Sequence, residues 1–495
     1  MIDLPVDLAF GAVLYCVLLL VLGAMASSRR GKTLSEFVLA GRSLGFGLLL
    51  LTWFATQYSG NAFSGIPGQT FRDGLVLFMS VSFGVALVAG YLLFAPTLYR
   101  LSRQERFITP TDFLVQRFGS PVLQYISVAV FAAALLNFLL AQLMALGGAF
   151  DGLTSGEIPY WLAVVVGGIV VAAYTTVGGM RAVAWTDAIQ TVLMAVGLIV
   201  VVTIIWLEVG RPDAVLRTVN LLHPELVANP GWTMSLTWLS NVILLMFGAP
   251  LYPQAIQRIY AARNLSAVRS TVATMAVVPL IVSTTAVFIG ATGAALFPQM
   301  DPANADRVTF RVLRYIVESN VLLYYPALLV MIAIIAATMS TADSCLLSLS
   351  SILTKDILAK VKKLSAESAE RLVRPVMIIS LLLMVVVISL AMRPRMTLWG
   401  LLIIKFEILM QLSPAFIFGT LHERLHTRAV TVQDILPGLV FGLGFTLALY
   451  FSGNEIIGGL HAGTLGLAAN YAIVTVRWWW RLKWSGGEQR AAAAP

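Results

Sequence analysis

Long apolar runs separated by short polar segments are the main pattern of this chain. A helix needs ~20 mainly apolar residues to cross a bilayer, whereas a transmembrane β-barrel would show short alternating segments. We therefore predict an all-α polytopic membrane protein with about thirteen transmembrane helices. The predicted spans are 6–27, 44–66, 73–99, 121–150, 158–177, 184–207, 234–256, 268–297, 321–353, 372–392, 396–420, 432–452 and 456–480.

Two of these spans are interrupted by residues that break helices. The second span has a polar segment at 53–61 and Gly and Pro at 65–68, and the seventh has Gly and two Pro within 247–254. Such breaks release backbone carbonyls and are tolerated in a membrane only where they line a cavity or pack against protein. Because the two spans run in opposite directions, the pair predicts an inverted-repeat transporter with its site near the membrane midplane.

A cluster of polar residues lies inside the apolar ninth span. Ser340, Thr341, Asp343 and Ser344 follow each other closely, and Ser340 and Ser344 share one helix face. A hydroxyl in a membrane helix can simply bond the carbonyl one turn back, but a carboxylate at this depth is functional by default. Hydroxyl oxygens beside a carboxylate suit a small hard cation such as Na⁺.

Composition and charge agree with a membrane protein. Hydrophobic residues make up 59% of the chain and charged residues 12%, and mean hydropathy is +0.87. The net charge of +9 follows a positive-inside pattern, which places the N-terminus outside and the C-terminus in the cytoplasm, rather than indicating nucleic-acid binding. The two Cys and four His show no metal-ligand spacing, and no nucleophile and base set predicts an enzyme.

Three further charged residues fall in or near predicted spans. Asp187 lies at the inner start of the sixth span, where it can be a functional carboxylate or only a first-turn carboxylate at a helix N-terminus. Lys405 and Glu407 lie deep in the eleventh span and, being two residues apart, do not face each other. Helix-packing partners and substrate-facing charges are equally open interpretations of this pair.

Five segments resemble the sodium/solute symporter family, and the resemblance extends over nearly the whole chain. They are 35–42, 55–68, 178–190, 253–258 and 337–351. The resemblance implies the leucine-transporter-type fold, which contains two inverted repeats of five helices. It divides the chain into an extra N-terminal helix with its inner loop (1–43), a first repeat (44–210), an outer loop (211–233), a second repeat (234–420), and two C-terminal helices with a short tail (421–495).

The resemblance also implies the ion site. Carried over by position, the sodium ligands would be the carbonyls of Ala55, Tyr58 and Ala337 and the hydroxyls of Ser340 and Thr341. A second cation or a proton would involve Asp187, Asp343 and Ser344. Asp343 stands where members with a second sodium have Ser or another neutral residue.

Substrate contacts are expected at the two helix breaks and in the eleventh span. The candidates are Gln57, Asn61, Phe247, Ala249, Tyr252, Phe406 and Glu407. Gln57 stands where proline carriers have Asp and sugar carriers have Asn, and Phe406 replaces a sugar-contacting Gln. These departures argue against proline and hexoses, and the stretch 252–258 more closely resembles carriers of small carboxylates or amino acids.

We therefore expect a Na⁺-coupled symporter of a small polar organic solute that works by alternating access in the cell inner membrane. Its partners would be the solute and membrane lipid, with no nucleic acid, no obligate protein partner and no organic cofactor. One alternative is proton coupling through Asp343 or Asp187. Another is a transporter-like sensory module, although the chain ends soon after its last span without a kinase region.

Overall fold

The computed structural model describes residues 4–28, 33–229, 231–363, 372–392, 397–425 and 430–491. The tail beyond residue 491, which was predicted to be cytoplasmic, lies outside the described residues. Throughout these ranges the chain is helical, apart from one short β-hairpin and connecting loops.

The helices and strands are numbered here in chain order. They are α1 Leu4–Ser28, α2 Leu34–Leu39, α3 Phe46–Gln57, α4 Gly65–Asp73, α5 Phe83–Gln104, α6 Pro110–Phe118, α7 Pro121–Thr154, α8 Tyr160–Glu208, α9 Pro212–Leu222, α10 Gly231–Phe247, α11 Pro253–Ala261, α12 Leu265–Thr274, α13 Val278–Leu296, α14 Val308–Ser319, α15 Tyr324–Ile352, α16 Ala359–Val361, α17 Val373–Ala391, α18 Leu398–Leu409, α19 Ser413–Leu425, α20 Val432–Phe451, β1 Ile456–Ile457, β2 Leu460–His461 and α21 Ala462–Ala491.

Membrane-spanning helices account for most of this list. Within the described ranges, ten segments are long and apolar enough to cross a bilayer. The predicted fifth and sixth spans both lie in α8, and the second and seventh begin with the shorter helices α3 and α10. The structure therefore confirms a polytopic helical membrane protein.

Gly179 divides α8 into the two predicted spans. Its φ of +59° and ψ of −153° lie in a region that side chains with a Cβ rarely adopt. A Cβ at this position would also lie 2.5 Å from the carbonyl oxygen of Phe37 in α2. Glycine is needed here because the chain must bend and α2 packs directly against the bend.

The centre of the molecule is α15, which packs against α7 and the long α8. Side chains are buried at every position from Ala333 to Ile352, including all the polar ones. A helix that is buried on all faces has no lipid-facing side, so its polar groups must find partners within the protein. The polar cluster of the ninth span therefore faces protein, as its sequence predicted.

Both predicted helix breaks are present, and the two broken helices run in opposite directions. A 3₁₀ turn at Gly60–Ala62 separates α3 from α4, and another at Ala249–Leu251 separates α10 from α11. Leu44, two residues before α3, contacts the end of α11. Its amide donates a hydrogen bond to the Ala261 carbonyl at 3.1 Å. The Arg263 amide in turn donates to the Leu44 carbonyl at 2.8 Å, which ties these two ends together.

Candidate ion and substrate site

The break after α3 places backbone carbonyls where no helical hydrogen bond uses them. The helix ends at Gln57, and Tyr58 has extended backbone angles of φ −105° and ψ 113°. The last carbonyls of a helix lack intrahelical partners, so other groups must satisfy them. The carbonyl of Ala55 lies in this last turn and is therefore open to partners from another helix.

Two hydroxyls of α15 point at this carbonyl. Ser340 Oγ lies 3.3 Å and Thr341 Oγ1 lies 3.1 Å from the Ala55 carbonyl oxygen. The same hydroxyls lie 3.1 and 3.5 Å from the Ala337 carbonyl oxygen. Four of the five predicted sodium ligands therefore come together in one cluster, and all four residues are fully buried.

The chemistry of this cluster fits a sodium ion. Its groups are two carbonyl and two hydroxyl oxygens, all neutral, and hard cations prefer oxygen ligands. A Na⁺ ion held by these residues would supply a positive charge that attracts their oxygens and would link the last turn of α3 to α15. The fifth predicted ligand, the Tyr58 carbonyl, lies in the extended residue immediately after α3.

Asp187 belongs to a buried ion pair. Its Oδ2 accepts hydrogen bonds from Arg258 Nη2 at 2.8 Å and from the Thr52 hydroxyl. Arg258 also donates from Nε to the Thr52 carbonyl at 3.0 Å and from Nη1 to the Gln254 carbonyl at 3.1 Å. Both charged side chains are completely buried, so the guanidinium of Arg258 is the counter-ion of the Asp187 carboxylate.

Asp343 and Ser344 continue the same network. Arg258 Nη2 donates to Ser344 Oγ at 2.6 Å, and Ser344 Oγ donates to Asp343 Oδ1 at 3.1 Å. Tyr174 from α8 donates to Asp343 Oδ2 at 2.7 Å. The three residues predicted for a second cation or a proton are thus brought together by Arg258.

Sequence reasoning missed Arg258 as a partner of the predicted carboxylates. In the sequence Arg258 is part of segment 253–258 and of the basic residues expected in an inner loop, and nothing local to it shows which residue it meets. A signal was present nevertheless, since a basic residue close behind a helix break requires a carboxylate from another span.

A cavity of about 100 Å³ lies at the helix breaks, and four predicted substrate residues line it. They are Gln57, Asn61, Tyr252 and Phe406, and Tyr58 lines it as well. Within the described part of the chain, neither side-chain polar atom of Asn61 has a hydrogen-bond partner. An unsatisfied buried amide costs free energy, so a polar ligand in this cavity would be stabilised by pairing with it.

The other three predicted substrate residues do not line this cavity. Phe247 packs edge-on against Tyr471 of α21 at a ring distance of 5.8 Å, and Ala249 is buried in the 3₁₀ turn. Glu407 faces the start of α21, where it accepts a hydrogen bond from the Gly463 amide at 3.3 Å. Its Oε1 also lies 3.6 Å from Nδ1 of His461 in β2.

Comparison with known proteins agrees with this geometry. The family model described as "Sodium:solute symporter family" matches residues 37–431, which is most of the chain. The chain therefore belongs to the sodium:solute symporter family. It is a multi-pass membrane protein that couples sodium to solute transport, and it is not an enzyme.

Individual relatives are similar over most of their length. The chain is 26% identical to the sodium/pantothenate symporter of Escherichia coli strain K12 over 87% of this chain and 88% of that protein. It is also 26% identical to the sodium/proline symporter of the same strain, over 92% and 91% of the two chains.

The fold is shared with solved transporters. A Na⁺-coupled sialic acid symporter, solved in a substrate-bound outward-open state, superposes with a TM-score of 0.76 at 18% identity over 96% of each chain. Mhp1, a nucleobase-cation-symport-1 family transporter, superposes in a closed conformation with a TM-score of 0.58 at 17% identity over 89% of this chain and 95% of that one. The fold is therefore that of the leucine-transporter-type carriers.

Proposed function

We propose that this protein is a Na⁺-coupled symporter of a small carboxylate or amino acid that binds both ligands at the break of α3. Sodium is held by the carbonyls of Ala55, Tyr58 and Ala337 and the hydroxyls of Ser340 and Thr341. The solute occupies the cavity lined by the two breaks. Transport proceeds by alternating access between two five-helix repeats, 44–210 and 234–420.

In this proposal the chain has thirteen spans, with the N-terminus outside a bacterial inner membrane and the C-terminus in the cytoplasm. The positive-inside pattern of its basic residues supports that orientation. The relatives named above, which by their names carry pantothenate, proline and sialic acid, support a small organic solute bearing a carboxylate.

One observation carries the proposal, namely that a single segment serves both the ion cluster and the cavity. The Ala55 carbonyl accepts the hydroxyls of α15, while Gln57 and Tyr58, two and three residues further on, line the cavity. Sodium that holds the Ala55 carbonyl against α15 also fixes the position of Gln57 and Tyr58 in the cavity wall. By linkage, the solute must then raise sodium affinity by the same factor by which sodium raises solute affinity.

Polar contacts join the segments that the proposed orientation places on the inner side of the membrane. Arg42, just before α3, donates to the carbonyls of Ser102 at 3.0 Å and Phe107 at 2.6 Å. Lys355, near the end of α15, pairs with Asp112 of α6. These contacts join the segment before the first repeat to that repeat, and the second repeat to the first.

The test removes the two hydroxyls that define the ion cluster. The double variant Ser340→Ala, Thr341→Ala should lose most of the thermal stabilisation that NaCl gives over KCl, and sodium-stimulated uptake with it. A ligand that binds only the native state at 100 times its Kd contributes about 2.7 kcal/mol, so the loss should be readily measured.

Ser350→Ala is the matched control. Ser350 is also a fully buried hydroxyl of α15, but it bonds only the Leu346 and Leu347 carbonyls of its own helix. It should keep the sodium response of the unmodified protein. Wild-type sodium dependence in the double variant would show that the ion binds elsewhere.

Proton coupling remains the alternative prediction, and the buried network bears on it. Asp187 has Arg258 as a direct partner, whereas the hydrogen-bond partners of Asp343 among the described residues are the hydroxyls of Tyr174 and Ser344. An Asp343→Asn variant that loses the pH dependence of uptake but keeps sodium stimulation would favour a proton at this position. Loss of sodium stimulation instead would favour a role in sodium binding.

A further inference from the structure

Lys405 is a buried lysine whose charged end has no acidic partner among the described residues. It lies in α18 and is completely inaccessible to solvent. Its Nζ makes no hydrogen bond, and no ion pair involves it in the described part of the chain. Burying an ammonium without a counter-charge is strongly unfavourable, so this arrangement requires an explanation.

In the described part of the chain, the groups that contact this ammonium are the faces of aromatic rings. Nζ lies 3.0 Å from the ring centre of Phe138 and 5.2 Å from those of both Tyr252 and Phe406. The three rings are stacked, with 5.3 Å between Phe138 and Tyr252 and 5.3 Å between Tyr252 and Phe406. Cation–π attraction offsets part of the cost of burial, but it is weaker than pairing with an anion.

Two of these rings also form the wall of the solute cavity. Tyr252 and Phe406 line it, whereas Lys405 does not line it and has its Nζ 5.2 Å from the centre of each of these rings. Among the described residues, every side chain that lines the cavity is uncharged. A bound anion would therefore find amides and hydroxyls at the surface of the cavity, and a charge partner in contact with two of the rings that line it.

The size of the cavity points to movement of this same wall. Small-molecule sites usually measure about 300–1,000 Å³, whereas this cavity measures about 100 Å³. Outward movement of the Tyr252 and Phe406 rings would enlarge the cavity and at the same time bring the Lys405 ammonium into contact with its contents. One rearrangement thus makes room for the solute and supplies its counter-charge.

We propose that Lys405 is the anion receptor of the solute site, that Tyr252 and Phe406 form a movable partition in front of it, and that the solutes are carboxylates without an amine. A zwitterionic amino acid would bring its own ammonium close to that of Lys405, and like charges repel strongly in a medium of low dielectric constant. The inference rests on the proposed transport through this cavity and narrows its solute class from carboxylates or amino acids to amine-free carboxylates.

The experiment measures thermal stabilisation of the purified protein by matched ligands in NaCl and in KCl. Propionate, propionamide and alanine form one trio of acid, amide and amino acid, and the larger acids pyruvate, lactate and pantothenate complete the panel. We expect sodium-dependent stabilisation by one or more of the acids, with the matching amide and amino acid at least about tenfold weaker in apparent affinity.

The decisive variant is Lys405→Met, which keeps the length of the side chain and removes its charge. Replacement of an unpaired buried cation by an apolar isostere is usually tolerated, so the variant should fold and keep its response to NaCl alone. Its apparent affinity for the acid should fall by about a hundredfold. Arg217→Met removes one positive charge from the exposed surface of α9 and should leave the acid response unchanged.

The outcomes separate the two proposals. An acid response that survives in Lys405→Met overturns the anion-receptor role, as does a panel in which only amides, amino acids or no acid stabilises the protein. Loss of the NaCl response in the unmodified protein would instead overturn the proposed sodium-coupled function. An intact NaCl response with loss of the acid response only in Lys405→Met is the result that supports the inference.

Discussion

Removal of Arg258 should destabilise the protein more than removal of its direct partner Asp187. The guanidinium bonds Asp187 at 2.8 Å and reaches Asp343 through the Ser344 hydroxyl, and it also donates to two backbone carbonyls. In Arg258→Met both carboxylates lose their cation. In Asp187→Asn the arginine still has Asp343 one hydroxyl away, so the loss is smaller.

The magnitudes follow from burial. Breaking a buried ion pair by removing one partner costs about 3–5 kcal/mol, because a charge remains without compensation. We expect this range for Arg258→Met and about 1–3 kcal/mol for Asp187→Asn, in which the lost group leaves one unsatisfied donor. Adding Asp187→Asn to Arg258→Met should recover part of the loss, since it removes one of the two uncompensated carboxylates.

The assay is SDS-induced unfolding of the purified protein in mixed micelles, applied to both single variants, the double variant and the unmodified chain. The coupling free energy of this cycle should exceed about 1 kcal/mol, well outside the ~0.5 kcal/mol within which independent sites add. Additive single losses, or a smaller loss for Arg258→Met than for Asp187→Asn, would refute the reasoning that one arginine serves two carboxylates.

Two further predictions concern the bend inside α8 and the segment that follows α15. Gly179→Ala should abolish folding or destabilise the protein severely, because a Cβ would lie 2.5 Å from the Phe37 carbonyl oxygen at a φ of +59°. The control is Gly444→Ala in the middle of α20, where a Cβ would meet no other atom within 4 Å. It should be neutral or slightly stabilising in the same unfolding assay. Asp356→Asn should lower the free energy of unfolding by about 1–3 kcal/mol, because buried Asp356 accepts a hydrogen bond from the Thr111 hydroxyl at 2.7 Å. If the two groups form one contact, adding Thr111→Val should lower it little further in the same assay.

Part of the site was predictable because it depends on local sequence. Ser340 and Thr341 interrupt an apolar run, and the segment around Gln57 and Tyr58 contains residues that end helices. Both signals follow from the chemistry of neighbouring residues in a bilayer, where a polar side chain must face protein and a broken helix must line a cavity. Their approach to each other was implied only by the resemblance, and the structure brings Thr341 within 3.1 Å of the Ala55 carbonyl.

The sequence by itself therefore determined the class of the molecule: its apolar spans, the two broken helices and the intramembrane polar cluster. The tertiary structure decided which charges meet. Arg258 and Asp187 are 71 residues apart, and Lys405 rests against Phe138, which is even further away along the chain. Hydrophobic length and helix breaking are properties of neighbouring residues, whereas a buried charge is stabilised by whatever group packing brings against it, and only the assembled helices define that group.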